Sequence, residues 1–217
     1  MKTLRQIIES AIGTVSGGLF VDDRNISTEQ IEQKVHEGRA LWCAQSYAQT
    51  KQVHGDWYQR FYPEYDVEMQ DGKCKTLFSC PPVIWFADKT DGLRYVGSAD
   101  YGDNFTRVWD RATLSNMMKH PVMKVGRRNY VLYQNGQIEC YTITSIKSPI
   151  VEAVFSSPVD VPSFNKNEHN YPLDPQGVDF VEKYLTQTVL KMEISTPADK
   201  ISDGVDSTKL PKQLILS

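Results

Sequence analysis

The sequence predicts an α+β fold in which a mainly antiparallel sheet is flanked by long amphipathic helices and followed by an extended C-terminal arm. Two stretches repeat apolar residues at helical spacing, and the chain between them alternates apolar and polar residues around turn dipeptides. The last stretch is polar and has no period. We assign residues 1–195 to one domain, with helices at 27–50 and 175–194 and strands within about 57–155, and residues 196–217 to the arm.

The chain opens with a short amphipathic helix, predicted over residues 3–11. Leu4, Ile7 and Ala11 follow one another at steps of three and four. Gly13 predicts the helix end, because glycine is favoured just after a helix C-terminus. A helix this short is unstable alone, so we expect it to pack on another element.

The longest helix is predicted over residues 27–50. Ser27 is a favourable N-cap, and Gln30 can bond back to the Ser27 amide in a capping box. A mainly apolar stripe at steps of three and four is predicted to face the core, and charged residues, Arg39 among them, are predicted to lie on the remaining surface. The stripe consists of Ile31, Val35, Gly38, Trp42 and Gln45.

A strip of small residues runs beside this stripe: Ala40, Ala44 and Ala48. Small side chains let another backbone come close, so we place a candidate subunit interface here. We add three apolar residues near the end of the arm to this candidate interface, because exposed apolar side chains are favourable only when a partner covers them. These are Leu214, Ile215 and Leu216.

Several strands are predicted in the middle of the chain. Extended chain over residues 57–69 is broken at Pro63 and followed by a turn at Asp71-Gly72. The apolar run of residues 83–87 predicts a buried strand, which forms a hairpin with residues 93–97.

Two further strands and a short helix complete this region. Strands are predicted at residues 105–109 and 150–155, and a helix at 112–119 is ended by His120-Pro121.

The dipeptide Asn135-Gly136 predicts a two-residue type I′ hairpin, because both residues tolerate positive φ. This loop fixes the register of the flanking strands. The predicted cross-strand pairs are Tyr133 with Ile138, Val131 with Cys140, and Tyr130 with Tyr141.

The last helix has a favourable start at Asp174, an N-cap residue followed by Pro175 at the first helical position. Its apolar stripe is continuous to the helix end near Ser195. The stripe consists of Val178, Val181, Leu185, Val189 and Met192.

Composition excludes several classes of protein. The formal charge of -3 and the pI of about 5.8 argue against binding nucleic acid by counterion release, which needs a concentrated excess of lysine and arginine. The mean hydropathy is -0.44, and no stretch approaches the roughly 18 apolar residues of a membrane span. With no apolar signal segment at the N-terminus, the sequence predicts a protein made in the cytoplasm without a membrane partner.

The cysteines and histidines predict no metal site and no cofactor. The four cysteines are scattered, and only Cys74 and Cys80 lie near each other, without a CxxC pair. The histidines form no HxxxH or HExxH pattern. Buried, unreactive thiols are the expected result.

No catalytic residues are predicted, because GxSxG, GxxxxGK[ST] and GxGxxG are all missing from the sequence. Acid pairs such as Asp22 with Asp23, or Asp100 with Asp103, discriminate nothing in a chain with 27 acidic residues. The four tryptophans are compatible with a sugar-binding or base-stacking platform, but at strand spacing they are more typical of a core or an interface.

Several segments occur in a recognisable order along the chain. The segments are Asp22-Asp23 before Ile26-Ser27, Glu37 to Leu41, Asp56 to Gln59, Tyr130 to Tyr133 before the hairpin, Ala153 to Pro158, Tyr171 to Leu173 and Thr196 to Lys200. In this order they resemble the head-to-tail connector ring proteins of crAss-like and related short-tailed bacteriophages. The match covers most of the chain and rests on diffuse motifs.

The resemblance implies a non-enzymatic virion subunit, assembled in the host cytoplasm into a ring of twelve copies. The ring would join the portal protein and capsid to other connector and tail rings. Genomic DNA would pass through it without sequence-specific binding. Two alternatives stay open: a phage cell-wall or polysaccharide hydrolase, and a carbohydrate-binding host-attachment module.

Overall fold

The computed structural model describes residues 1–15, 27–70, 73–86, 90–101, 105–120, 129–142, 146 and 148–195. Within these residues the fold is α+β, with long helices and mostly antiparallel strands, as the sequence predicts. The helices are α1 (Leu4–Val15), α2 (Thr28–Thr50), α3 (Arg111–Lys119) and α4 (Pro175–Ser195). The strands are β1 (Gln59–Phe61), β2 (Asp66–Gln70), β3 (Lys73–Ser79), β4 (Leu93–Ser98), β5 (Phe105–Val108), β6 (Asn129–Gln134), β7 (Gln137–Thr142) and β8 (Pro149–Ala153).

The described strands form two sheets. A three-stranded sheet has the order β1-β8-β4, and a five-stranded sheet has the order β2-β3-β7-β6-β5. Neighbouring strands are antiparallel except β5 and β6, which are parallel. The break at Pro63 therefore does more than interrupt one strand, because β1 and β2 on either side of it belong to different sheets.

The predicted hairpin is confirmed in register. Tyr133 pairs with Ile138, Val131 with Cys140 and Tyr130 with Tyr141, as expected. Asn135 and Gly136 have φ values of 51° and 74°, the left-handed conformation that a type I′ turn requires at both positions.

Helices α1, α2 and α4 share one hydrophobic cluster. Leu4 and Ile7 of α1, Val35 of α2, and Val181 and Leu185 of α4 are fully buried in it. The prediction that Gly13 ends α1 is wrong, since the helix continues to Val15. Ile12 packs against this cluster, and docking offsets the cost of a glycine in the last turn.

The predicted capping box of α2 is confirmed, but its buried face is only partly as predicted. Ser27 and Gln30 bond each other's backbone amides. Gln45 is exposed, and Arg39, predicted on the surface, is fully buried. The described buried residues of α2 are Ile31, Val35, Gly38, Arg39, Cys43 and Tyr47. Arg39 is turned inward because its guanidinium finds backbone acceptors there.

The prediction of a buried strand at residues 83–87 is wrong in two respects. Isolated bridges join Val83 to Phe155 and Trp85 to Asp91, and these residues lie outside the named strands. Ile84 is buried, while Trp85 is 55% exposed. Residues 83–86 therefore form an extended ribbon whose side chains alternate between buried and exposed, in place of the expected fully buried strand. Ala87, the last residue of the predicted strand, and the predicted turn at Asp71-Gly72 lie outside the described residues.

The hydrophobic clusters of the described residues are joined by shared side chains. Trp42 packs against both the helical cluster and a cluster around Trp57 and Val154. Phe164 packs against both the helical cluster and the one between the two sheets. A further cluster lies where α3 covers the other face of β6 and β7.

Candidate functional site

The predicted interface on α2 lies mostly on the free face of that helix. Ala44 and Ala48 are exposed, whereas Ala40 is half-buried against the Trp57 cluster. Leu41 is 45% exposed and lies on the same face of the helix, about one turn before Ala44. The described part of the strip is therefore Leu41, Ala44 and Ala48. Leu214, Ile215 and Leu216 lie outside the described residues.

Arg39 fixes the opposite face of α2. Its Nε donates to the carbonyl oxygen of Pro172 at 3.1 Å and its Nη2 to that of Trp57 at 3.1 Å, while Nη1 donates to the carbonyl oxygen of Phe155. These carbonyls belong to three separate segments, so one side chain sets the position of α2 against all of them.

Asp174 forms a second polar junction beside Arg39. Its Oδ1 accepts hydrogen bonds from the indole nitrogens of Trp42 at 2.9 Å and Trp57 at 2.7 Å, and its Oδ2 accepts from the Gly177 amide at 3.1 Å. The predicted N-cap is thus confirmed. Burial opposes ionisation, but the hydrogen bonds from Trp57 and Trp42 lower the pKa of Asp174 overall.

His36 lies on the same side of α2. Its Nδ1 is 2.7 Å from the hydroxyl oxygen of Tyr171, and its buried Nε2 has no hydrogen-bond partner among the described residues. Burial lowers the pKa of His36 to about 4, and the charge of Arg39 acts in the same direction.

A groove of about 470 Å³ runs along α2 next to these residues. It is lined by Glu29, Glu32, Gln33, His36, Glu37, Ala40, Ser156, Ser157 and Val159. Ala40 connects the groove to the exposed strip through neighbouring positions on the helix. The free side of α2 therefore combines small, apolar and acidic groups.

Two exposed tryptophans, Trp85 and Trp109, lie side by side on the surface. The ring centroids of Trp85 and Trp109 are 6.2 Å apart, with an interplanar angle of 48°. The guanidinium of Arg107 lies 5.0 Å from the Trp109 ring and 5.5 Å from the Tyr133 ring. Its Nη2 donates to Asp91 Oδ2, which joins β5 to the ribbon that carries Trp85.

The outer face of the three-stranded sheet carries a separate polar cluster around Glu152. Its Oε1 accepts hydrogen bonds from Arg60 Nε at 2.9 Å and Tyr101 at 2.7 Å, and Arg94 Nε lies 3.9 Å from Oε2. Burial opposes ionisation, but the bonds from Tyr101 and Arg60 lower the pKa of Glu152. Every partner holds the carboxylate ionised, which makes it a poor proton donor.

The cysteines match the predicted buried thiols at three positions. Cys43, Cys80 and Cys140 are buried, and Cys74 is half-buried. Burial raises the pKa of Cys43 to about 11 and that of Cys80 to about 12, so neither thiol is activated as a nucleophile. Within the described ranges, no cluster of three metal-ligating side chains occurs.

Neither acid pair named from the sequence is placed by the structure, because Asp22, Asp23 and Asp103 lie outside the described residues. Over the same part of the chain, none of the helices is long and apolar enough to cross a membrane.

Sequence reasoning missed the buried Arg39 and the partly buried Arg107. Arg39 is one position away from the predicted stripe, and Arg107 lies two positions from both Phe105 and Trp109, on the same face of the extended chain. A charged residue adjoining an apolar stripe is the only sequence signal for either, and it does not name the partner.

No protein-family model matches this chain, and no curated protein matches it.

Proposed function

We propose that this protein is a non-enzymatic structural subunit of a virion, forming a ring in the head-to-tail connector of a short-tailed phage. The resemblance described above supplies the connector role. Its partners would be further copies of itself, the portal protein and neighbouring connector or tail rings. Genomic DNA would pass through the ring without sequence-specific binding.

The observation that carries the proposal is the free face of α2. Leu41, Ala44 and Ala48 are exposed on a helix whose other face is held by Arg39. A rigid helix with small exposed side chains can approach a second backbone closely without ordering cost. A ring is closed by contacts between two different surfaces of each subunit, and this helix supplies one of them.

The charge balance is consistent with a DNA conduit. The formal charge is -3, and the groove beside α2 has three glutamates. A mildly acidic subunit holds phosphates weakly, because retention of DNA depends on lysine and arginine side chains that neutralise phosphates and release their condensed counterions into solution.

The test introduces a negative charge into the exposed strip of α2. Ala44→Glu should leave the fold intact, since Ala44 is exposed and glutamate is a good helix former. It should abolish self-association, measured by analytical ultracentrifugation, and incorporation into particles, measured by mass spectrometry relative to the portal protein. Gln49→Glu, an exposed position outside the strip, is the matched control and should assemble normally.

Normal copy number for the Ala44→Glu protein would contradict the proposal. So would hydrolysis of peptidoglycan or polysaccharide by the purified wild-type protein that a single acid-to-amide change abolishes.

A further inference from the structure

We propose that Asn135, at the tip of the β6–β7 hairpin, is a site of spontaneous conversion to isoaspartate, and that this conversion releases the hairpin from the segment that carries Cys80. The inference goes beyond the proposed ring function and does not depend on it. It rests on the exposure of Asn135, the accessible amide of Gly136 and one hydrogen bond that joins the turn to Cys80.

The tip of the hairpin exposes two groups that can react with each other. Asn135 is exposed, and its side-chain carbonyl carbon, Cγ, can close a five-membered ring with the backbone nitrogen of the next residue. That residue is Gly136, which has no side chain to screen the approach. Every other asparagine of the chain is followed by a residue with a side chain. Asn135 is therefore the asparagine most open to this attack.

The structure leaves the nitrogen of Gly136 available. Its amide donates no hydrogen bond among the described residues. Gly136 has a φ of 74°, a conformation in which a side chain would be strained. The geometry that makes glycine favourable in the turn therefore also keeps the attacking nitrogen uncovered.

The reaction needs only water and hydroxide from the solvent. Hydroxide removes the amide proton of Gly136, and the nitrogen attacks Cγ of Asn135. The N–Cγ bond forms, the Cγ–Nδ2 bond breaks, and Nδ2 takes a proton from water and leaves as ammonia. Water then opens the cyclic imide at either carbonyl carbon, leaving its hydroxyl on that carbon and a proton on the nitrogen. Opening at the main-chain carbonyl gives isoaspartate, in which the chain runs through Cβ and Cγ.

The folded turn slows the attack without preventing it. Asn135 and Gly136 form a type I′ turn that is closed by the paired residues Gln134 and Gln137. The nitrogen reaches Cγ when the tip opens, and an exposed turn opens at a much lower free energy than the core strands. Opening of the tip is sufficient, so the reaction does not require the domain to unfold.

The product does not fit the turn. Isoaspartate adds one atom to the main chain, and a two-residue loop of this type fixes the register of its strands. The Gly136 carbonyl oxygen accepts from the Cys80 amide at 2.8 Å, so a displaced turn breaks this contact. Cys80 is 6% exposed and packs in the cluster between the two sheets. We expect its thiol to become accessible when the turn moves.

The experiment ages the full chain at neutral and at mildly alkaline pH. Peptide mass mapping follows each asparagine, and protein isoaspartate methyltransferase identifies the isoaspartate. We expect Asn135 to convert at least about tenfold faster than Asn167, which is exposed but is followed by Glu168. The rate should rise with pH, because the attacking nitrogen must first lose its proton.

Asn135→Gly is the matched control. Gly-Gly also suits a type I′ turn, and glycine has no side-chain amide to be attacked. Each protein is treated with a thiol reagent before and after ageing, and mass spectrometry measures the labelling of Cys80. Cys80 of the aged wild type should react at least about tenfold faster than that of the fresh protein, because burial no longer suppresses its thiolate. Cys80 of Asn135→Gly should react at the same rate before and after ageing.

Two results would overturn the proposal. One is that Asn135 converts no faster than Asn167 in the folded protein. The other is that Cys80 stays as protected in the converted protein as in the fresh one, or gains the same reactivity in aged Asn135→Gly. Circular dichroism of the fresh proteins shows that the variant retains the fold and that the comparison is like for like.

Discussion

Arg39 shows how one residue can fix a helix on the rest of a protein. Its guanidinium is fully buried and donates to carbonyl oxygens of Trp57, Phe155 and Pro172. The three acceptors lie in different directions, which suits the planar fork of arginine and not the single ammonium of lysine. The orientation of α2, and of the strip on its free face, therefore depends on this side chain.

We expect Arg39→Lys to lower the free energy of unfolding by about 2–4 kcal/mol, because at least one buried carbonyl loses its donor while the charge stays buried. Urea denaturation measures the change. Arg5→Lys is the control: Arg5 pairs with Glu9 on the surface, and its replacement should leave the free energy of unfolding close to that of the wild type. Equal losses in the two variants would show that the carbonyl contacts do not matter.

His36 predicts a pH dependence of stability. Its pKa is about 4 in the folded protein, below its ordinary value of 6.5, because burial and Arg39 disfavour the charged ring more than Glu32 and Asp160 favour it. Above pH 6.5 both folded and unfolded states hold the ring neutral. As the pH falls from 6.5 to 4 the unfolded state takes up the proton first, so stability falls by up to about 3 kcal/mol.

The measurement is the free energy of unfolding at several pH values between 4 and 7. His36→Asn keeps a polar atom near Tyr171 but does not titrate, and its stability should decline less over this range. If the wild type and the variant lose stability in parallel, other groups are responsible for the decline.

At the scale of the elements, two glycines in helices have opposite roles. A Cβ at Gly13 in α1 would have no atom within 4 Å. A Cβ at Gly177 in α4 would lie 1.7 Å from Leu173 Cδ2 and 2.6 Å from Trp42 Nε1. Gly177 therefore permits the close approach that lets Trp42 reach Asp174.

The same substitution should consequently change stability with opposite sign. Gly13→Ala should raise the free energy of unfolding by about 0.5 kcal/mol through helix propensity. Gly177→Ala should lower it by about 2 kcal/mol, because overpacking outweighs the gain in propensity. Thermal denaturation of both variants measures the difference, and two shifts of the same sign would contradict this account.

At the scale of the whole molecule, the described core and the predicted C-terminal arm are different stretches of the chain. The hydrophobic clusters are built from residues between Leu4 and Leu185. The arm, residues 196–217, contains the remaining part of the predicted interface. Folding and assembly should therefore depend on different parts of the chain.

Deletion of residues 196–217 should leave the melting temperature within about 2 °C of the wild type, since no side chain of the described core is removed. Incorporation into particles should be lost. Mass spectrometry of purified particles measures the copy number, and particles with a normal number of truncated subunits would rule out an interface role for Leu214 to Leu216.

The sequence by itself determined the features that depend on neighbouring residues. The α+β class, the capping box at Ser27, the N-cap at Asp174 and the register of the Asn135-Gly136 hairpin were all predictable. Caps and tight turns are made by residues within a few positions of one another, so their chemistry is written in the local sequence. The predicted end of α1 at Gly13 is wrong because packing of Ile12 outweighs the local preference of glycine for helix ends.

Only the tertiary structure decided which residues meet across the chain. It divided the strands into two sheets, buried Arg39 against three distant carbonyls, and joined Arg107 to Asp91 beneath two exposed tryptophans. Periodicity predicts which face of an element is apolar, but it does not predict the acceptor that a single buried charge will find. That choice depends on the energy of long-range contacts, which exist only after the elements have packed.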